Sequence, residues 1–134
     1  EETGVEEGMK LSMFDVSDPA DPKEVTRLLL KDYNYSEALY DHRAVLIDPA
    51  ENILGFEAEG SRKGEYRKHY LFFSYEDGSF VQTLKADTGQ KEGAEYRGYY
   101  RSRGTFIGDT CYLLLENGGA QAYSRATGEL LSEL

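Results

Sequence analysis

A strand, a tight turn and a second strand recur three times along this chain, and this repetition most constrains its fold. The strongest copy covers residues 14–25, where an apolar strand meets an acidic turn that contains Pro19 and Pro22. Asp and Ser suit such turns because they hydrogen-bond to their own backbone, and Pro presets φ. Weaker copies cover residues 71–81 and 120–130. Repeated units of this kind indicate stacked β-sheets.

Ten segments have the alternating or continuous apolar character of β-strands. The predicted strands are residues 9–15, 24–30, 42–48, 53–58, 68–75, 80–86, 99–107, 110–115, 120–125 and 129–134. Residues 36–39 are long enough for only one helical turn. A charged tip is predicted at residues 60–64, and Asp77-Gly78 is predicted to form a hairpin turn.

The spacing of the strands indicates a β-propeller. Tyr75 and Tyr123 mark equivalent third strands about 48 residues apart, and four strands in about 40–50 residues is the period of a propeller blade. We therefore predict an all-β fold of antiparallel four-stranded blades, about two and a half in number. The predicted partial domain covers residues 1–134, with a half blade at 9–30, a blade at 41–87 and a last blade at 98–134.

Composition excludes two classes of partner. The net charge of −10 argues against nucleic acid and against an anionic membrane surface, since both are bound through Lys and Arg.

No apolar run reaches the length of a membrane span, so we expect no membrane insertion by this segment. The first seven residues lack the basic and apolar regions of a signal peptide. Cys111 lies in an apolar run and is predicted to be a buried, inert thiol.

Three stretches resemble a known family: residues 10–25, residues 35–49, and residues 103–109 followed by 118–123. They are similar to bacterial and archaeal secreted proteins with a C-terminal β-propeller domain, which is distantly related to WD-repeat propellers. The resemblance implies a secreted or cell-surface protein of unassigned biochemical role, and it implies that this chain is the C-terminal end of a larger propeller.

A fragment of a propeller leaves surfaces open. A propeller needs at least about four blades to close, and this chain is predicted to have about two and a half. Unpaired strand edges and open apolar faces attract partners. We therefore expect self-association through the open blade edges.

Glu37, Asp41 and His42 are the closest group of carboxylates and imidazole in the sequence. Such a group can supply a general base or part of a metal site. The alternative is structural, because the resemblance to WD-repeat domains implies a histidine that hydrogen-bonds within its blade. The sequence has no G-x-S-x-G elbow and no Gly-rich phosphate loop.

Asp15, Asp18 and Asp21 place three carboxylates at a spacing of three residues. Calcium prefers such oxygen ligands, so these residues are weak candidates for a calcium site. Turn chemistry explains them without an ion, since Asp in turns usually bonds the backbone.

Tyrosine and arginine side chains cluster in two parts of the sequence and are candidates for binding, since these residue types dominate binding hot spots. The alternative is a solvated strand face. The first cluster contains Tyr96, Arg97, Tyr99, Tyr100, Arg101 and Arg103, and the second contains Tyr33, Tyr35 and Tyr40, which precede His42.

The favoured interpretation is a non-catalytic extracellular binding or scaffold module that recruits a protein or a glycan. We predict that the chain binds no cofactor. Calcium is the one ion for which the sequence offers weak candidate ligands. One alternative is a hydrolase-type or metal-dependent enzyme that uses Glu37, Asp41 and His42. A second alternative is a calcium-stabilised structural module. Fold does not choose among these, because propellers have many functions.

Overall fold

The computed structural model describes residues 8–89 and 101–134, and most of its regular structure is β-strand. The prediction of an all-β fold is confirmed. One 3₁₀ turn, Glu37–Leu39, matches the single helical turn predicted there. The strands are β1 (Met9–Asp15), β2 (Lys23–Leu30), β3 (Leu46–Asp48), β4 (Ile53–Arg62), β5 (Glu65–Glu76), β6 (Ser79–Asp87), β7 (Arg103–Ile107), β8 (Thr110–Leu114), β9 (Ala120–Ser124) and β10 (Leu130–Glu133).

The strands form three antiparallel sheets. Sheet I contains β1 and β2, sheet II contains β3 to β6, and sheet III contains β7 to β10. In every sheet each strand pairs with its neighbour in the sequence. Sheets II and III are thus the four-stranded antiparallel units predicted for propeller blades. The assignment of the three sheets to a half blade and two blades of a larger ring stays a prediction.

Sheet II lies between the other two sheets, and its strand β5 is therefore buried on both faces. Tyr70 and Phe72 belong to one apolar core, and Leu71 and Phe73 belong to the other. Each of the four is at most 1% exposed. Successive side chains of a strand point to opposite faces, so a continuous apolar run is expected where both faces are covered.

The first core joins sheet II to sheet III. Its free cysteine, Cys111, is buried, and this burial raises the pKa of the thiol. The prediction that the thiol of Cys111 is buried is therefore confirmed. The buried members of this core are Ile53, Tyr70, Phe72, Leu84, Ala86, Cys111, Leu113 and Tyr123.

The second core joins sheet I to the opposite face of sheet II. It includes Tyr33, which lies in the linker between β2 and β3, so this linker also covers part of sheet II. The other buried members are Met9, Leu30, Phe56, Ala58, Leu71 and Phe73.

The β4–β5 hairpin is longer than predicted, and the prediction of a charged tip at residues 60–64 is wrong. The two strands continue until only Lys63 and Gly64 separate them. Both residues have positive φ, 54° and 82°, which is the two-residue turn that preserves strand pairing. Asp77 and Gly78, with φ of 48° and 83°, form the same kind of turn, as predicted.

The predicted strand at residues 42–48 is wrong in its first half. Residues His42–Ala44 form a 3₁₀ turn, and strand pairing is limited to Leu46–Asp48. The turn begins at Asp41, whose carboxylate accepts a hydrogen bond from the backbone nitrogen of Arg43 at 2.9 Å. This helix-capping bond competes with the extended conformation of a strand.

Candidate functional site

The predicted binding residues fall into two groups. Tyr33, Tyr35, Tyr40, His42, Arg101 and Arg103 are described by the structure. The strand predicted at residues 99–107 begins only at Arg103 within the described part. The other predicted binding residues, Tyr96, Arg97, Tyr99 and Tyr100, lie outside the described residues.

The linker between β2 and β3 presents Tyr35 because it adds to the edge of β4. The backbone nitrogen of Tyr35 donates to the oxygen of Glu59 at 3.0 Å, and the nitrogen of Glu59 donates back at 2.9 Å. Gly60 permits this approach, since a Cβ there would lie 2.5 Å from the backbone oxygen of Asp32. The position of Tyr35 is therefore set by main-chain pairing.

Ser36 fastens the next part of the linker. Its hydroxyl is buried, donates to the backbone oxygen of Glu57 at 2.5 Å, and accepts from the nitrogen of Ala38 at 3.2 Å. The second bond starts the 3₁₀ turn Glu37–Leu39. Because the hydroxyl of Ser36 bonds both to β4 and to the 3₁₀ turn, it fixes the backbone at the neighbouring residues Tyr35 and Glu37.

Arg101, two residues before β7, lies over the ring of Tyr35. Its guanidinium carbon is 5.5 Å from the ring centroid, which is the geometry of a cation–π contact. The same guanidinium is 3.3 Å from the Oε2 of Glu59, which also accepts a hydrogen bond from the hydroxyl of Tyr66 at 2.5 Å. The structure thus brings together two of the predicted binding residues.

The rings of Tyr35 and Tyr40 lie together beside Arg101, with Tyr35 half-buried and Tyr40 open to solvent. The centroid of Tyr40 lies 6.1 Å from that of Tyr35, and Tyr40 is 79% exposed. We call Tyr35, Tyr40 and Arg101 the tyrosine patch. Tyr33, predicted with them, is buried instead, and its hydroxyl lies 3.0 Å from the Nδ1 of His69.

The group proposed for acid–base chemistry is divided between separate ion pairs. The Oε2 of Glu37 is 2.8 Å from the Nη1 of Arg103, and this hydrogen bond raises the pKa of Arg103. The guanidinium of Arg43 donates to Asp41, with a shortest distance of 2.8 Å, and lowers the pKa of Asp41 to about 2. The ring of His42 is exposed and has no hydrogen-bond partner among the described residues.

Sequence reasoning missed a buried ion cluster at the interface of sheets II and III. The ammonium of Lys68 lies 2.7 Å from the Oε2 of Glu116 and 3.4 Å from the Oε1 of Glu57. Lys68 and Glu57 are only 5% and 8% exposed. The sequence does contain one signal for this cluster, a lysine two residues before the apolar run that starts at Tyr70. A lysine so close to a buried run needs a carboxylate partner, because charged residues are seldom fully buried without one.

A cleft of about 380 Å³ opens beside these ion pairs. Arg101, Arg103 and Glu116 line it together with the turn after β8. Two guanidinium groups and one carboxylate line its wall, so the cleft offers both hydrogen-bond donors and an acceptor.

The predicted calcium ligands serve the backbone of the β1–β2 turn. The carboxylates of Asp15 and Asp18 each accept a hydrogen bond from the main-chain nitrogen two residues later, at 2.8 Å and 3.0 Å. Asp21 forms an ion pair with Lys23 at 3.3 Å. Within residues 8–89 and 101–134, no three or more His, Cys, Asp or Glu side chains are placed to hold a metal ion.

These observations define an all-β protein of stacked antiparallel sheets, two of them four-stranded, with a buried ion cluster beside the apolar core that joins these two. The Beta propeller domain family matches residues 1–127. The chain belongs to this family, and the resemblance predicted from the sequence is confirmed. In the described ranges, no helix has the length and apolar character needed to cross a membrane.

One similar protein is an uncharacterized protein of Archaeoglobus fulgidus, 39% identical over 94 residues. The match covers 69% of this chain and 13% of that relative, so the chain spans a small part of the relative's length. No solved structure gives a significant match to the chain.

Proposed function

We propose that this chain is a non-catalytic binding module, part of an extracellular β-propeller that recruits a protein or a glycan. The tyrosine patch is the observation that carries this proposal. Tyr and Arg are enriched among residues that dominate binding energies. An exposed ring and a half-buried ring beside a guanidinium offer apolar area and hydrogen-bond donors to one ligand.

The order of the patch before binding supports this role. Backbone pairing with Glu59 holds Tyr35, and the Glu59 carboxylate together with the Tyr35 ring holds Arg101. A side chain that is already ordered loses less conformational entropy when a ligand arrives. We therefore expect Arg101 and Tyr35 to contribute a fixed surface, with Tyr40 at its exposed edge.

The enzyme alternative has weaker support. A general base needs a carboxylate or an imidazole that is free to take a proton from the substrate. The carboxylates of Glu37 and Asp41 are both engaged by arginines. Their charge therefore stabilises the local structure, and His42 is left without a carboxylate that orients it.

An array of neutral and acidic oligosaccharides tests the binding role, with the variant Tyr40→Ala and the control Leu131→Ala at an exposed position of β10. We expect Tyr40→Ala to lower the affinity for a bound glycan about tenfold or more, as loss of a hot-spot residue does. Leu131→Ala should change it less than about twofold. Mass spectrometry should recover the glycan unchanged. Turnover that His42→Ala abolishes would contradict the proposal.

The protein arm of the proposal needs a separate probe. A photo-reactive amino acid at position 40 should cross-link a native protein partner on source cells, whereas the same group at position 131 should not. Equal cross-linking from both positions, together with no bound oligosaccharide, would exclude the tyrosine patch as the recognition surface.

We also propose that the chain associates with itself through the outer face of sheet III. Ile107, Tyr112 and Leu114 lie on this face and are 71%, 37% and 60% exposed. Contiguous exposed apolar side chains favour association, whereas the net charge of −10 opposes it. Association should therefore strengthen when salt screens the repulsion between charges.

Sedimentation velocity over a dilution series, in low and high salt, tests this association. Ile107→Arg should shift the chain toward the monomer under both conditions. A wild-type chain that remains monomeric at the highest concentration and salt would refute the association.

The extracellular location rests on the resemblance to secreted proteins. Protease treatment of intact source cells should release peptides of this chain before peptides of a cytoplasmic marker. Release of both only after lysis would contradict this location.

A further inference from the structure

The guanidinium groups beside the tyrosine patch already have carboxylate partners. Arg101 lies 3.3 Å from the Oε2 of Glu59, and Arg103 lies 2.8 Å from the Oε2 of Glu37. These four side chains are between 20% and 39% exposed, so water and salt screen each pair only in part. A ligand that approaches Arg101 therefore meets an ion pair without net charge, and not a free cation.

The same pairing occurs on the Tyr40 side of the patch. Asp41 follows Tyr40 directly, and its carboxylate accepts hydrogen bonds from the guanidinium of Arg43, the shortest at 2.8 Å. These bonds lower the pKa of Asp41 to about 2, so this carboxylate is ionised at neutral pH and balances its arginine. The three ion pairs around the patch thus cancel in charge.

This arrangement disfavours charged ligands of either sign. An anion would have to displace Glu59 or Glu37 from its arginine, and it would approach a chain of net charge −10. A cation would meet the guanidinium of Arg101, which already occupies the cation–π position 5.5 Å from the centroid of the Tyr35 ring. A neutral ligand avoids both conflicts.

Hydrogen-bonding groups remain open although the charges are paired. The bond from Arg101 to Glu59 uses Nη1, and the Nε and Nη2 of Arg101 have no hydrogen-bond partner among the described residues. The hydroxyls of Tyr35 and Tyr40 likewise bond to no residue that the structure describes. A guanidinium nitrogen donates, whereas a phenol hydroxyl both donates and accepts. This set suits a ligand whose own hydroxyls do both.

Open tyrosine rings supply apolar surface next to these groups. The ring of Tyr40 is 79% exposed, and its centroid lies 6.1 Å from that of Tyr35. A second open ring, Tyr66 at 63% exposed, is linked to the patch because its hydroxyl donates to Glu59 at 2.5 Å. The face of an aromatic ring is negative, so it attracts the slightly positive C–H groups of a sugar ring. Two open rings around one ion pair fit a ligand of more than one sugar unit.

The size of the patch favours a sugar over a folded protein. A stable protein interface buries about 800 Å² on each partner, whereas one fully covered tyrosine buries only about 150–250 Å². Tyr35 is already half-buried, so the three side chains of the patch offer less than a protein partner needs. A sugar unit is comparable in size to a single tyrosine ring.

We propose that the tyrosine patch selects neutral oligosaccharides. A sugar ring stacks on Tyr40, and its hydroxyls bond to the open nitrogens of Arg101 and to the hydroxyl of Tyr35. Glu59 keeps the charge of Arg101 balanced, so that acidic sugars bind less tightly. This inference rests on the binding role proposed above and narrows it to one class of ligand.

An array of neutral oligosaccharides of the common hexoses, each beside the same chain built from the matching uronic acid, tests the selectivity. At least one neutral chain should bind, about tenfold or more tighter than its acidic match when both are measured by titration calorimetry. Its affinity should change less than about twofold when salt is raised, because screening acts only on charges. Tyr40→Ala should weaken it about tenfold or more, as loss of a hot-spot residue does.

Two glutamate variants locate the source of the selectivity. Glu59→Gln removes the charge that balances Arg101 and keeps the shape of the side chain, so the acidic match should gain about threefold or more relative to the neutral chain. Glu51→Gln is the matched control, because Glu51 pairs at 3.1 Å with Arg125, whose guanidinium lies over the ring of Phe106. In this control the selectivity should stay within about twofold of the wild type.

Three results would overturn the inference. Acidic chains that bind as tightly as their neutral matches, and that Tyr40→Ala weakens, would refute the selectivity and leave the binding role standing. An equal change of selectivity in both glutamate variants, each with unchanged thermal melting, would refute the role of Glu59. The wild-type comparison tests the selectivity even if Glu59→Gln melts at a lower temperature.

The third result is that no neutral oligosaccharide binds at millimolar concentration. The binding role of the patch would then fail as well only if a photo-reactive group at position 40 captures no more protein than one at position 131.

Discussion

The side chain of Tyr70 lies directly against the backbone of Gly104. A Cβ at position 104 would be 2.6 Å from the Cζ of Tyr70 and 2.7 Å from its hydroxyl oxygen. Tyr70 belongs to β5 of sheet II and Gly104 to β7 of sheet III, so this contact sets how closely the two sheets approach. The burial of Tyr70 between them raises the pKa of its hydroxyl. Arg101 precedes β7 of the same sheet by two residues, so we expect this packing to help place its guanidinium over Tyr35.

We expect Gly104→Ala to lower the free energy of unfolding by about 1–3 kcal/mol, because the added methyl group must displace the Tyr70 ring or separate the sheets. Denaturant-induced unfolding measures this change. Thr105→Ala, at the exposed neighbouring position of β7, is the control and should change stability by less than about 0.5 kcal/mol. Similar losses for the two variants would contradict the close packing.

Lys68 neutralises carboxylates in a place that water barely reaches. Replacing it with methionine leaves Glu57 buried without its cation, and breaking such a pair costs about 3–5 kcal/mol of stability. Chemical unfolding of Lys68→Met measures the loss. Lys85→Met, at an exposed position of β6, is the matched control. A variant Lys68→Met that is as stable as the control would mean that water relieves the charge of Glu57.

The imidazole of His69 should make stability depend on pH. Burial, with a contribution from the nearby charge of Lys85, lowers its pKa below the usual 6.5. The folded protein then binds fewer protons than the unfolded chain as pH falls through 6.5 toward the lowered pKa, so stability decreases over that range. Thermal melting from pH 8 to pH 5 checks this, with His69→Asn as the variant that should lose this part of the dependence.

An NMR titration of the His69 ring gives a direct reading. Its pKa should fall below 6.5 in the folded protein and return toward that value in denaturant. A value at or above 6.5 in the folded state would disprove the prediction.

The thiol of Cys111 should be unreactive in the folded protein. It is 2% exposed, and burial raises its pKa, so the reactive thiolate is scarce at neutral pH. A thiol-specific chromogenic disulfide should label it quickly in guanidinium and slowly under native conditions. Rapid stoichiometric labelling without denaturant would show that sheets II and III open easily.

Local patterns in the sequence predicted most of the strands. The apolar run at residues 70–73 indicated a strand, and its burial on both faces explains why no polar residue interrupts it. Asp77-Gly78 was recognised as a hairpin turn because both residues tolerate positive φ. Lys63-Gly64 makes the same turn but was missed, since lysine is not a typical residue for that conformation.

The pairing of charges between sheets was beyond the reach of these patterns. Glu37 and Arg103 form an ion pair although they are 66 positions apart. The sequence offers no reason to prefer this partner for Glu37 over the neighbouring His42. The choice depends on how the linker lies on sheet II and how far sheet III is shifted along it.

The sequence by itself determined that this chain forms a repeated, antiparallel all-β structure, because strand periodicity and turn residues act over short distances. Only the tertiary structure decided that Arg101 lies over Tyr35 and that Lys68 is buried between carboxylates. These features depend on the distance and offset between stacked sheets. That offset results from side-chain packing, such as that of Tyr70 on Gly104, between residues far apart in the chain.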